Sequence, residues 1–385
     1  MQILRLGDDG VAVAEIRAAL VDLGHLPTRE GDSVFDHSVD HAVRAFQQHR
    51  GLIVDGLVGS ATYRALKEAS YKLGARTLIY QLAAPMSGDD VQTLQTRLLE
   101  LGYNTGRADG VFGPQTDVAL RSFQRECGVT SDGICGPATL RALGYLARMA
   151  SGGSPQRIRE EEAVRLSGPQ LRGKRIVIDP ACGGSERGVL ASAYGLTGAG
   201  GALAEADLVW DLACLVEGRL AATGVETFLS HPRHTNPPAS ERAAFANSCG
   251  ADLLISLHAD ANKSPHAEGV ASFHFGNADG ANSTIGEMLG GYVMREIVAR
   301  TGMQNCRNHG RTWDLLRLTK MPAVHLEVGY LSNAHDVALL AHSRQRDAIA
   351  EAIVVGVKRL YMLGVDDQPT GTFTFEELLA EELTG

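Results

Sequence analysis

The chain has no run of about 18 apolar residues, so no segment reads as a membrane-spanning helix. Its 385 residues include six cysteines with no Cys-x-x-Cys pair, which excludes a dense disulfide framework and reads as reduced thiols in a cytosolic protein. Basic runs are absent and the net charge is −9, which argues against a nucleic-acid partner. The opening MQILRLGDDGVAV lacks the basic, apolar and small-residue zones of a secretory signal, and predicts a cytoplasmic location. The glycine-rich stretch 191–202 contains no Gly-Lys-Ser/Thr phosphate loop and reads as a flexible loop. What remains is a globular chain long enough for two or three domains, each with its own core.

An internal repeat runs through the N-terminal part at an offset of 77 residues. Ala45-Phe46-Gln47 matches Ser122-Phe123-Gln124, Asp55-Gly56 matches Asp132-Gly133, and Arg64-Ala65-Leu66 matches Arg141-Ala142-Leu143. Apolar spacing predicts three helices per copy, at 11–23, 38–49 and 61–70, then 89–101, 115–125 and 137–148. Asp-Gly turns punctuate them. The second copy reads Asp109-Gly110-Val111-Phe112-Gly113; the first reads Asp32-Ser33-Val34-Phe35-Asp36 and has lost both glycines, which predicts a reshaped loop. The pattern resembles the small helical peptidoglycan-binding domains that accompany wall hydrolases. Two roles stay open for it: binding a muropeptide or lipid-linked peptidoglycan precursor, or docking a protein.

These spacings divide the chain into helical domains at 1–75 and 84–149, a Gly-, Ser-, Pro- and charge-rich linker at 150–172, a domain at 173–363 and a tail at 364–385. In 173–363, candidate strands (175–179, 225–229, 253–257, 270–275, 323–328) alternate with candidate helices (205–223, 240–249, 282–301, 344–363). The expected fold class is therefore multidomain: two small all-α three-helix domains, then an α/β domain with a central, mostly parallel sheet.

Four ordered motifs lie in the α/β part: IVIDPACGGSERG at 176–188, AEADLVWDL at 204–212, LISLHADA at 254–261 and LEVGYLSN at 326–333. Together they resemble the zinc-dependent N-acetylmuramoyl-L-alanine amidases over about residues 174–362. That family holds zinc by His, Glu and His, and a further Glu assists the attacking water. Carried over by motif, the ligand positions fall on Cys182, Glu205 and His258, and the catalytic carboxylate on Glu327. The family reads DPGHGG where this chain reads Asp179-Pro180-Ala181-Cys182-Gly183-Gly184, so a thiol replaces the first imidazole. A hydrolytic zinc keeps three protein ligands and one water, whose pKa it lowers to about 7. A thiolate is a possible ligand there, with a shorter reach than His and more donated charge. The other reading makes Cys182 a small, partly buried residue beside an empty or weakly metallated site.

The tail at 364–385 holds six acidic residues, no basic one, and three closely spaced threonines, Thr370, Thr372 and Thr374. Composition predicts disorder up to Phe373 and a short helix over 375–383, with the threonines as phosphorylation candidates and Phe373 and Phe375 as anchors for a partner. The whole arrangement resembles the actinobacterial CwlM family. The resemblance implies a cytosolic regulator of peptidoglycan precursor synthesis, controlled by a serine/threonine kinase. It also implies recruitment of FHA-domain proteins and activation of the UDP-N-acetylglucosamine carboxyvinyltransferase. The alternative is an active zinc amidase with a Cys-Glu-His site.

Overall fold

The computed structural model describes residues 3–27, 33–146, 155–198, 201, 203–277, 282–362, 371 and 373–384. The chain divides into two compact units, one made of Met1–Ile158 with Asn277–Ala281, the other of Arg159–Gly276 with Asn282–Gly385.

The first unit holds the two repeats. Helices α1 (Val11–Asp22), α2 (His37–His49) and α3 (Ser60–Ala69) form one bundle. Helices α4 (Asp89–Glu100), α5 (Pro114–Glu126) and α6 (Pro137–Leu146) form the other, with strands β1 (Leu78–Ile79) and β2 (Ile134–Cys135) paired antiparallel beside it. Each bundle has its own core: Ile16, Phe35 and Phe46 in the first, Leu94, Phe112 and Phe123 in the second.

A buried glutamine organises each Asp-Gly turn. Gln124 Nε2 donates to Asp132 Oδ1 (2.9 Å), Ile134 O (3.0 Å) and Thr139 Oγ1 (3.0 Å), while its Oε1 accepts from Gly133 N (2.9 Å). Gln47 does the same for Asp55, Leu57, Thr62 and Gly56. Gln95 does it for Asp109, Val111, Thr116 and Gly110. The repeat is therefore built from a half-unit used three times. The fourth position accounts for one of the two lost glycines. Arg17 stands where Gln95 stands in the second copy, and it donates to Asp36 Oδ2 (3.2 Å), the residue that replaces the glycine. Asp36 is also the N-cap of α2 and accepts from Val39 N at 2.9 Å. Hydrogen bonds from Ser38 and Val39, with help from Arg17, hold its carboxyl down at about 2. Truncating the Gln124 bracket strands several buried polar groups at about 1–3 kcal/mol each. Gln124→Ala is expected to cost the helical unit about 2–3 kcal/mol of stability, seen as a lower midpoint in urea titration of the full chain.

The presumed linker is not structureless. Helix α7 (Pro155–Leu166) occupies it, started by Pro155 at the first helical position, where a missing N–H costs nothing. The Gly-Ser stretch 151–154 lies outside the described residues, and the Arg/Glu-rich run behind it is a good helix former.

The second unit is a six-stranded sheet with strands β3 (Arg175–Pro180), β4 (Glu226–Leu229), β5 (Leu253–Asp260), β6 (Val270–Phe275), β7 (Asn305–Arg311) and β8 (Ala323–Tyr330). Their spatial order is β4-β3-β5-β8-β6-β7, and every pairing is parallel except β6 with β8. Helices α8 (Glu205–Ala222), α10 (Thr284–Thr301) and α13 (Ser343–Tyr361) pack side by side, α8 against β3 and β5, α10 against β6 and β8. Helices α9 (Ala239–Ser248) and α11 (Asp314–Leu318) pack on each other, and α12 (Ala334–Ala341) precedes α13. The near-continuous apolar runs of β3 and β5 are what a sheet covered on both faces requires. No helix among the described residues is long and apolar enough to cross a membrane.

The tail closes on this unit as helix α14 (Phe375–Thr384). Thr374 caps it: its Oγ1 accepts from Glu377 N (3.3 Å), while the Glu377 carboxylate accepts from Thr374 N (2.7 Å), a reciprocal capping box. Phe373 and Leu378 are buried in the unit's own core and Phe375 packs against it. The expectation that Phe373 and Phe375 serve as free anchors is thus corrected, because their apolar surface is already covered. Thr370 and Thr372 lie outside the described residues, as does most of the stretch expected to be disordered.

Candidate functional site

Period-two alternation and strand register build the site. In β5, Ser256 and His258 share one face; in β8, His325 and Glu327 do. Asp179 of β3 pairs with Ser256, Ser256 with His325, and His258 with Glu327, so all five side chains stand on one face of three neighbouring strands. They lie at the C-terminal ends of parallel strands, where open α/β sheets place their ligand crevice. Glu205 enters from the first residue of α8, and Cys182 from the loop two residues beyond β3.

Asp179 is fully buried and anchors the outer layer. Its Oδ2 accepts from Arg242 Nη1 (2.7 Å) and Ser256 Oγ (2.6 Å), and its Oδ1 from Ser230 Oγ (2.5 Å). Because Ser256 spends its proton on Asp179, its oxygen accepts from His258 Nε2 at 2.9 Å. This relay puts the imidazole proton on Nε2 and turns the Nδ1 lone pair towards Glu205 Oε1, 3.7 Å away. Burial, and then the neighbouring His325, push the His258 pKa well below its ordinary value, so the ring is neutral.

Glu205 is held by two backbone donors, Val189 N to Oε2 (3.0 Å) and Ala259 N to Oε1 (3.3 Å). Burial raises its pKa, and Glu327 adds to the rise. Gly188, at φ 63°, leaves room for this arrangement: a Cβ there would overlap Glu205 and come within 2.8 Å of Cys182 Sγ. Glu327 is nearly enclosed. Its Oε1 accepts from His325 Nε2 (3.2 Å), its Oε2 has no partner among the described residues, and burial lifts its pKa to about 7.

The motif comparison brought Cys182, Glu205, His258 and Glu327 to attention, and the fold assembles them in one crevice. It missed His325. That ring stacks on His258 with centroids 3.7 Å apart, and Trp313 and Phe273 enclose it edge-on. Burial drives its pKa down to about 3. The signal was present in AVHLEV, where position 325 must share the face of Glu327 in any strand.

The fit to zinc fails at one position. Glu205 and His258 face each other as two ligands do, with outer partners that fix the imidazole tautomer. Cys182 lies beside Glu205, and burial, reinforced by the Glu205 charge, pushes its thiol up to about 12. A thiol held protonated beside a ligand carboxylate must give up its proton before it can serve as a third ligand, since the thiolate is what binds metal. Among the described residues no three His, Cys, Asp or Glu side chains are arranged to hold a metal ion.

The shifts fix a pH dependence. The unfolded chain releases the Glu327 proton near pH 4.5, the folded chain near pH 7. Stability is therefore lost as pH rises between these values, by about 3 kcal/mol in all. His258 and His325, held neutral, act in the opposite sense and lose stability as pH falls below 6.5. Glu327→Gln is expected to remove the alkaline-side loss and raise the melting temperature at pH 8 but not at pH 4, checked by thermal denaturation.

Comparison with known proteins agrees with this architecture. Residues 176–359 match the N-acetylmuramoyl-L-alanine amidase family model, and residues 9–66 and 87–143 match the model of a putative peptidoglycan binding domain. The N-acetylmuramoyl-L-alanine amidase CwlM of Mycobacterium tuberculosis is 59% identical over 99% of this chain and 95% of its own length. The amidase LytC of Bacillus subtilis is 28% identical over 54% of this chain and 40% of its own. Among solved structures, the amidase Ami1 of Mycobacterium smegmatis is 26% identical, with a TM-score of 0.41 over 50% of this chain and 98% of its own. With its two helical modules, its amidase sheet and a relative that aligns from end to end, the chain belongs to the N-acetylmuramoyl-L-alanine amidase family, in the CwlM-type arrangement.

Proposed function

We propose that this chain regulates peptidoglycan precursor synthesis from the cytoplasm and uses the amidase scaffold as a binding body rather than as a hydrolase. The observation that carries the reading is Cys182, a buried thiol beside Glu205 at the position where the family's first zinc ligand stands. Hydrolysis is what the relatives' names state of them; here the water-activating centre has lost a ligand. All six cysteines are unpaired, which suits a reducing compartment. The helical modules would then recognise a muropeptide or a peptidoglycan precursor.

The switch in this reading is threonine phosphorylation of the tail by a serine/threonine kinase, with Thr370, Thr372 and Thr374 as candidates. Thr374 is exposed and its hydroxyl bonds Glu377, with Glu351 accepting from the next backbone N–H (3.2 Å). A phosphate there adds about −1.5 to −2 charge next to two carboxylates, which repel it, and at a helix N-terminus, which attracts it. The phosphorylated tail would recruit FHA-domain proteins and raise the activity of the UDP-N-acetylglucosamine carboxyvinyltransferase. The test is the rate of that enzyme with the full chain added, unphosphorylated, kinase-treated, and kinase-treated with all three threonines changed to alanine. Stimulation by the kinase-treated wild type alone is expected; equal rates in the three mixtures contradict the reading.

One observation favours a second reading, an active zinc amidase with a Cys-Glu-His site. The Asp179–Ser256–His258 relay is intact and Glu327 has the pKa of a general base.

A further inference from the structure

A second site lies away from the crevice, between α10 and the edge strand β7. A pocket of about 480 Å³ opens there, within the range of small-ligand sites. Arg295 and Arg307 line it with Asn305, Asn308, Tyr292 and Met288, and among the described residues no carboxylate lines it. In a chain of net charge −9, two arginines lining one cavity, with no acid among its described lining residues, make a local positive site.

The backbone is bent to make it. Val270 pairs with Asn305 and Ser272 with Asn308, so residues 306 and 307 together oppose Ala271 in a β-bulge. Arg307 sits in that bulge at φ 70°, the one non-glycine residue among those described with a positive φ. Glycine adopts this conformation without strain and arginine does not. Asn305 Oδ1 accepts from Arg307 N (2.8 Å) and fixes the turn. Arg307 makes no ion pair among the described residues, and the Arg295 guanidinium lies 5.1 Å from the centre of the Tyr292 ring. Asn308 forms a rigid wall, donating to Glu287 O (2.7 Å) with its Oδ1 2.9 Å from His274 Nδ1.

We propose that this pocket binds a small organic phosphate, with the phosphate or diphosphate held by Arg295 and Arg307 and the organic part lying on Tyr292 and Met288. Guanidinium forks match phosphate oxygens two at a time, and their pairing is the strong form of hydrogen bond. The Arg307 side chain is what the strained bulge delivers to the pocket. The site is independent of Cys182 and of whether the crevice holds metal. The same chemistry occurs in soluble nucleotides and in phospholipid headgroups.

The experiment is calorimetric titration of the full chain with inorganic pyrophosphate, ADP and citrate, together with co-sedimentation with phosphatidylcholine vesicles doped with phosphatidic acid. Saturable binding of a phosphate probe is expected, weakened about tenfold or more in Arg295→Gln and in Arg307→Gly, the loss of one charge-assisted contact. Arg307→Gly also relieves the strain, so its melting temperature is expected to equal or exceed the wild type; its lost binding is then not a folding defect. Binding of pyrophosphate or ADP identifies a soluble ligand, and binding of the vesicles alone a headgroup. No saturation by any phosphate probe, equal affinity for citrate, or unchanged binding in both variants would overturn the proposal.

Discussion

Cys182→His is expected to turn the crevice into a zinc site. Two ligand positions are already set: the Nδ1 lone pair of His258 faces Glu205 Oε1 at 3.7 Å, and the Asp179–Ser256 relay holds the tautomer that keeps it bare. What is missing is a third donor in place of a thiol pushed up to about 12. Removing an outer partner of a metal ligand alone costs about 10–100-fold in affinity, so supplying a whole ligand is expected to raise zinc affinity by more than about 100-fold. At a zinc concentration of about 100 times the dissociation constant the variant gains about 2.7 kcal/mol of stability, visible as a zinc-dependent rise in melting temperature that the wild type lacks. Muropeptide cleavage is expected to appear with the metal, and to vanish again in Cys182→His with Glu327→Ala. A wild type that already rises in melting temperature with zinc as much as the variant would make Cys182 a working ligand.

Breaking the Lys358–Glu382 pair is expected to give the largest loss of stability. Both side chains are 1% exposed, with Lys358 Nζ 2.6 Å from Glu382 Oε1. Lys358 also donates to Pro169 O (3.0 Å), and Glu382 Oε2 accepts from Leu171 N (2.9 Å). The pair ties α14 to α13 and to the start of the amidase-like domain. Glu382→Ala leaves the buried ammonium with only the half-exposed Glu381, 3.6 Å away, as counter-charge, at a cost approaching the about 3–5 kcal/mol of a broken buried pair. For a domain of this size that is a fall of about 10 °C in melting temperature. Lys358→Met with Glu382→Leu removes both charges and is expected to recover most of the loss. A fall that persists in the double variant would mean that packing of α14, not the ion pair, holds the tail.

Much of this architecture is legible in the amino-acid pattern, and the exceptions have physical reasons. Helices such as α4 and α5 follow from apolar spacing, and β3 and β5 from short apolar runs bounded by turn residues. Strand β7 reads Asn-Cys-Arg-Asn-His-Gly-Arg, an edge strand with a bulge, and carries no hydrophobic alternation to announce it. The half-repeat was hidden because its signature, Gln47, Gln95 and Gln124, is a lone polar residue on an otherwise apolar helix face. In the crevice, motif likeness located Cys182, Glu205, His258 and Glu327. It said nothing of His325, which becomes part of the site only through the pairing of β5 with β8. The tail helix was legible and its docking was not, since Glu382 and Lys358 meet only in the folded chain.

The most direct test of the central claim is the zinc content of the wild-type chain, purified without chelator and measured by native mass spectrometry, with muropeptide cleavage followed on the same sample. The account predicts substoichiometric zinc and no turnover. One zinc per chain, with turnover that is lost in Glu327→Ala, would contradict it and make the chain a working amidase.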